Sequence, residues 1–155
     1  MSKKIHIGVI GAGDCSQEIY NLAKELGHMV AQREWILICG GLGGVMEGAA
    51  KGCYKAGGMT VGILPGEERD SANPFIHLAI PTGLGEGRNL LVVKASDVVL
   101  SIAGGYGTLS EIGLALKTGK PVIGLKTWPS IDGVDYVETP QQAIDMVGRY
   151  ASRLR

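Results

Sequence analysis

Residues 103–111, Ala-Gly-Gly-Tyr-Gly-Thr-Leu-Ser-Glu, carry the clearest chemistry in the chain. Gly104, Gly105 and Gly107 free the backbone to bring amides close to an anion, and Tyr106 sits between them. Thr108 offers a hydroxyl and an amide where a helix would begin, and its positive dipole end favours phosphate. Glu111 lies one turn further on and has two readings. It could close a capping box with Thr108, which steadies a helix start and does no chemistry. It could instead face a ligand, binding ribose hydroxyls or serving a glycosyl-transfer site.

Three more glycine clusters resemble this one: positions 8, 11 and 13; 40, 41, 43, 44 and 48; and 83, 85 and 87. The first, Gly11-Ala12-Gly13-Asp14-Cys15-Ser16, approaches the dinucleotide fingerprint GxGxxG but has Ser16 at the third glycine. NAD-type binding also wants an acidic residue at the end of the second strand. Here that strand runs into Cys39-Gly40-Gly41, and a second glycine loop takes the acid's place. The P-loop pattern GxxxxGK[ST] is absent, which argues against ordinary ATP or GTP hydrolysis. For a single cluster, tight βα turns alone would account for the glycine. Four clusters on one edge imply a phosphate-bearing small molecule.

That common edge follows from the elements. Ile5 to Ile10, Trp35 to Cys39, Met59 to Leu64, His77 to Ile80, Asp97 to Ile102 and Pro121 to Leu125 are short, nearly continuous apolar runs. Such runs suit strands buried on both faces. Between them lie helix-length stretches, Ser16 to Arg33, Gly44 to Ala56, Gly87 to Ser96, Thr108 to Thr118 and Pro140 to Arg153. The βα alternation predicts one α/β domain over residues 1–155, a doubly wound, Rossmann-like parallel sheet sandwiched by helices. All strand carboxyl ends then share one edge. Thr139 before Pro140 reads as a helix cap with proline in the first turn. Gly66 to Pro74 is polar and unpatterned, and reads as a surface loop able to fold over a ligand.

Composition narrows the classes. Among 155 residues, 15 Lys and Arg balance 15 Asp and Glu, so no net field draws nucleic acid or a membrane surface. Aromatics are only 5%, which leaves the core to aliphatic residues. No uninterrupted apolar run nears the roughly 18 residues of a membrane span, and no signal-peptide cleavage pattern follows Met1-Ser2-Lys3-Lys4. A cytoplasmic protein is expected. Cys15, Cys39 and Cys53 are odd in number and lack CxxC spacing, so free thiols are expected, with no metal site. His6, His28 and His77 read as structural.

At GGYGTLSE the sequence resembles the Lonely Guy family, whose signature is PGGxGTxxE; Ala103 stands in place of the proline. The resemblance extends to Gly40-Gly41-Leu42-Gly43-Gly44-Val45-Met46, similar to the family's GGxxGxMG loop, and to Arg88, where the family's RK pair falls. Asn89 replaces the lysine of that pair. Family members hydrolyse the N-glycosidic bond of nucleoside 5′-monophosphates, which implies Arg88 and Glu111 as catalytic residues. The implied ligand-binding residues are Gly11, Gly13, Ser16, Gly40, Gly41, Gly43, Gly44, Met46, Gly104, Gly105, Tyr106, Gly107 and Thr108. The short form with Gly-Glu-Gly-Arg88 is similar to a neighbouring, molybdenum cofactor carrier-like subgroup, which binds a pterin phosphate without turnover. A nucleotide or the molybdenum cofactor would then be a ligand, and no resident cofactor is required. The resemblance also implies a homodimer or larger homo-oligomer, and the Leu90-Leu91-Val92-Val93 run, apolar on more than one side, agrees with a covered helix.

Overall fold

The computed structural model describes residues 3–154. Its elements alternate as β1 (His6–Gly11), α1 (Gln17–Gln32), β2 (Ile36–Cys39), α2 (Val45–Lys55), β3 (Thr60–Leu64), β4 (Leu78–Pro81), α3 (Arg88–Ala95), β5 (Val98–Ile102), α4 (Tyr106–Lys117), β6 (Val122–Leu125), β7 (Val134–Tyr136) and α5 (Pro140–Ser152). The seven strands form one fully parallel sheet in the order β4-β3-β2-β1-β5-β6-β7. The chain winds outward from β1 to one edge, then returns to the other side of β1 at β5. That reversal opens a crevice at the carboxyl ends of β1 and β5, where Gly11 pairs with Ile102.

Each face of the sheet is closed by helices. Leu26 and Val30 of α1, Ala49 of α2, and Ile144 and Val147 of α5 pack on Ile7, Val9, Leu37, Leu100 and Leu125. Val92 and Val93 of α3, with Ile112 and Ala115 of α4, pack on Ile10, Ile38, Ile63, Val99 and Val122. Strands covered on both faces are apolar throughout, so these runs do not alternate. Ser16 caps α1 by accepting from the Ile19 amide at 3.2 Å, and Thr139 caps α5 through the Gln142 amide at 3.2 Å. Pro140 occupies the first turn of α5.

Glycine also sets the distance between α1 and α2. A Cβ on Gly27 would lie 1.9 Å from the Ala49 carbonyl oxygen, and one on Gly52 would lie 1.8 Å from that of Lys24. Gly48 belongs to the same contact, against the Tyr20 carbonyl, and does not face the crevice.

Two local expectations give way, at β7 and at the start of α4. β7 is a seventh strand where none was expected; it is three residues long and half-exposed at the sheet edge. Residues 66–74 form a mostly exposed loop with a short 3-10 turn, Arg69–Ser71, anchored to the loop after β2. The Asn73 amide donates to the Gly41 carbonyl at 2.8 Å, and its side chain donates to that of Leu42 at 2.8 Å. Finally, α4 begins at Tyr106 with Gly105 as its cap residue, so Thr108 is inside the helix and no Thr108 to Glu111 capping box forms. Among the described residues no helix is long and apolar enough to cross a membrane.

Candidate functional site

The loop after β1 must pass a crowded point to reach the crevice. A Cβ on Gly11 would lie 2.2 Å from the Ile102 carbonyl oxygen and 2.8 Å from Cβ of Val45, so only glycine fits between β5 and α2. The loop after β2 locks onto it. The Val45 amide donates to the Ala12 carbonyl at 2.9 Å, and Gly44, at φ 63°, has no room for a Cβ beside that carbonyl. Gly43 and Gly44 therefore join the two loops, while Gly41 packs on Leu64 and Gly62.

The loop after β5 turns through left-handed backbone at Ala103 (φ 51°) and Gly104 (φ 109°). The Thr108 side chain folds back over Gly104, where its Oγ1 would lie 2.3 Å from an added Cβ, and Thr108 is almost fully buried. No side chain caps α4, so the amides of its first turn have no intrahelical or side-chain acceptor at the crevice. The loop is braced from outside, since Thr127 Oγ1 donates to the Ala103 carbonyl at 2.8 Å and Trp128 Nε1 to that of Gly105 at 2.9 Å.

Between these loops lies a cavity of about 290 Å³. Gly11, Gly13, Gly40, Met46, Gly105, Gly107, Thr108, Arg88 and Glu111 all line it, so most of the residues read from the sequence meet in one place. Ser16, Gly41, Gly43, Gly44, Gly104 and Tyr106 do not line it. Ser16 is spent as a helix cap, Gly41, Gly43, Gly44 and Gly104 shape the loops behind the wall, and Tyr106 is exposed and turned outward. Val9, Ile10, Ala12 and Asn89, not expected from the sequence, also line the cavity. Asn89 had a signal, because it directly follows Arg88 at the start of a helix.

Arg88 enters from the first turn of α3 and is 9% exposed. Its Nη1 donates to Oδ1 of Asn89, and its Nε is buried with no hydrogen-bond partner. Nη2 rests against Gly40, where an added Cβ would lie 2.7 Å from it and 2.7 Å from the Met46 sulfur. Burial lowers the Arg88 pKa, and the Glu111 charge opposes that shift. An arginine remains charged under these conditions. Glu111 is 6% exposed, and burial pushes its carboxyl up to about 7 despite the opposing pull of Arg88. Neither residue takes part in the ion pairs among the described residues, Arg33 with Asp145 and Lys126 with Glu18. The cavity thus holds a cation with no direct ion pair, near a carboxyl whose pKa burial raises, facing free amides of a helix N-terminus. That set attracts an anion and supplies it with donors.

The thiols lie behind the wall or away from it. Cys39 is buried next to Arg88, and burial pushes it up to about 11; Cys53 is buried and pushed up to about 12. All three cysteines are unpaired. His6 bonds the Ala95 carbonyl and His77 bonds Thr60, and neither lines the cavity.

The chain is 47% identical over 143 residues to a protein of Archaeoglobus fulgidus, covering 92% of this chain and 94% of that one. It is 32% identical over 129 residues to the cytokinin riboside 5′-monophosphate phosphoribohydrolase of Mycobacterium tuberculosis, covering 76% and 67%. Among solved structures it resembles the molybdenum cofactor binding protein of the phototrophic bacterium Rippkaea orientalis, with a TM-score of 0.90 and 36% identity over 97% of this chain and 99% of that one. The SLOG cluster4 family model matches residues 4–151, the whole sheet and all but the last residue of the five helices, and the chain belongs to that family.

Proposed function

We propose that this protein holds a phosphate-bearing, nucleotide-like ligand in the crevice, as a binding or carrier protein. The observation that carries the reading is Arg88, a buried guanidinium with an unpartnered Nε, in the same cavity as the uncapped first turn of α4. A buried cation without an ion pair is costly, and an anionic ligand would repay that cost. The likeness to a molybdenum cofactor binding protein over nearly both full lengths supports holding over turnover. So does Asn89, which accepts from Arg88 where the Lonely Guy pattern has a second cation.

Glu111 favours a second reading, hydrolysis of a nucleoside 5′-monophosphate, in which water adds to the ribose anomeric carbon and the base leaves. A carboxylate beside that carbon stabilises the positive charge that develops there and orients the water. The phosphoribohydrolase relative supports this reading. One experiment separates the two. The purified protein is incubated with a panel of nucleoside 5′-monophosphates and assayed for free base, while its co-purified ligand is identified by mass spectrometry. Binding or a retained phosphate ester without base release supports holding; catalytic release of base, lost in Glu111→Gln, supports hydrolysis.

A further inference from the structure

The turn after β5 takes a backbone that the motif's usual residue could not. Ala103 stands where the pattern PGGxGTxxE has proline, and its φ of 51° lies in the left-handed region. A proline ring holds φ at about −65°, so proline is incompatible with this turn. Left-handed backbone is strained for a residue that carries a Cβ, and it persists where the surroundings impose it. Here the segment between β6 and β7 imposes it.

That segment grips the turn at two carbonyls. Thr127 Oγ1 has one proton, which goes to the Ala103 carbonyl at 2.8 Å, so Ser101 Oγ, fully buried on β5 and 2.7 Å away, donates to Thr127. Trp128 Nε1 donates to the Gly105 carbonyl at 2.9 Å, and the same oxygen accepts from the Leu109 amide at 3.0 Å as α4 begins. Trp128 is held in turn. Tyr136 of β7 donates its hydroxyl proton to the Trp128 carbonyl and accepts from the Ile131 amide at 3.0 Å. The Tyr106 ring lies against the Trp128 ring, with centroids 5.8 Å apart. Ser101, Thr127, Trp128 and Tyr136 do not line the cavity, so any effect on a ligand passes through the turn.

A peptide unit is planar and trans, so its carbonyl and its amide point in opposite directions. Fixing the Ala103 and Gly105 carbonyls therefore fixes the Gly104 and Tyr106 amides and the turn between them. We propose that Thr127 and Trp128 are positioning residues of the phosphate site, which hold these two carbonyls so that the amides at the start of α4 are aimed at the anion before it arrives. Donors set in advance bind more tightly than donors the ligand must order. The inference rests on the phosphate reading of the crevice.

The test measures ribose 5-phosphate affinity by calorimetry on the parent, Trp128→Phe, Thr127→Val and Thr127→Ser, at a temperature where the thermal melt of each shows it folded. Trp128→Phe keeps a ring against Tyr106 but has no N–H. Thr127→Val keeps the shape of the side chain without its hydroxyl, and Thr127→Ser restores the hydroxyl. Affinity is expected to fall at least about fivefold in Trp128→Phe and in Thr127→Val, and to stay within about twofold of the parent in Thr127→Ser. Variants that melt lower but bind ribose 5-phosphate as the parent does show a structural brace alone; that result overturns the positioning role and leaves the phosphate site standing. Equal losses in Thr127→Val and Thr127→Ser overturn the role of the Thr127 hydroxyl. A parent that does not bind ribose 5-phosphate overturns the phosphate reading and the inference with it.

Discussion

The Arg88 guanidinium lies against the bare backbone of Gly40, with Nη2 2.7 Å from the position a Cβ would take. Gly40→Ala should therefore displace Arg88 from the cavity wall. The obstacle is the far end of a flexible side chain, which can move, so the stability cost is expected to be about 1 kcal/mol or less. Phosphate-ester affinity should fall at least about tenfold, because the fork of donors no longer points at the ligand. Calorimetric titration with ribose 5-phosphate, beside a thermal melt, checks both halves.

Gly52→Ala is the contrasting substitution. Its Cβ would meet the Lys24 carbonyl at 1.8 Å, and backbone cannot yield as a side chain does. Pushing α1 from α2 should cost about 3 kcal/mol or more in urea unfolding, although Gly52 touches nothing in the crevice.

These two glycines mark the limit of what could be read from the residues. The strands between the clusters were legible because β-branched apolar runs of that length have few other uses, and the parallel sheet followed from the helices between them. The crevice was legible from glycines after strands. Which glycines face it was not, because Gly44 and Gly48 belong to the same glycine-rich stretch as Gly40, and only the contact of Gly44 with the loop after β1 and of Gly48 with α1 sets them apart. The Thr108 to Glu111 spacing fits a capping box equally well inside a helix, and the left-handed turn at Ala103 and Gly104, which starts α4 two residues earlier, leaves no local pattern. β7 is too short and too polar to stand out, and the bracing of the 103–105 loop by Thr127 and Trp128 joins parts of the chain more than 20 residues apart.

Glu111 should impose a pH dependence on stability. Its carboxyl titrates near 7 in the folded state against 4.5 as the reference value, so between those values the folded protein binds the extra proton. Stability then falls as pH rises through that window and levels off above it, the reverse of an ion-paired carboxylate. Glu111→Gln should flatten the dependence and, at pH 8, raise the unfolding free energy by roughly 3 kcal/mol, the value of a shift of this size. Urea unfolding of both proteins from pH 4.5 to 8 reads the difference. A parent curve that rises across this window would contradict the burial of Glu111.

The outer surface of α3 bears on assembly. Val92 and Val93 are fully buried, but Leu91 is 37% exposed and Leu84, just before the helix, is 57% exposed. Apolar side chains grouped on one face favour a partner surface. Light scattering at micromolar concentration is expected to give at least twice the 16.2 kDa chain mass, and Leu91→Asp to lower it. A parent that remains at 16.2 kDa would contradict the expected homo-oligomer.

The central claim is that the crevice between β1 and β5 binds a phosphate through Arg88 and the first turn of α4. A crystal structure of the protein soaked with ribose 5-phosphate tests it most directly. Phosphate density is expected within hydrogen-bond distance of the amides at Gly105 to Thr108 and of the Arg88 guanidinium. Phosphate bound elsewhere, with these donors facing only water, would contradict it.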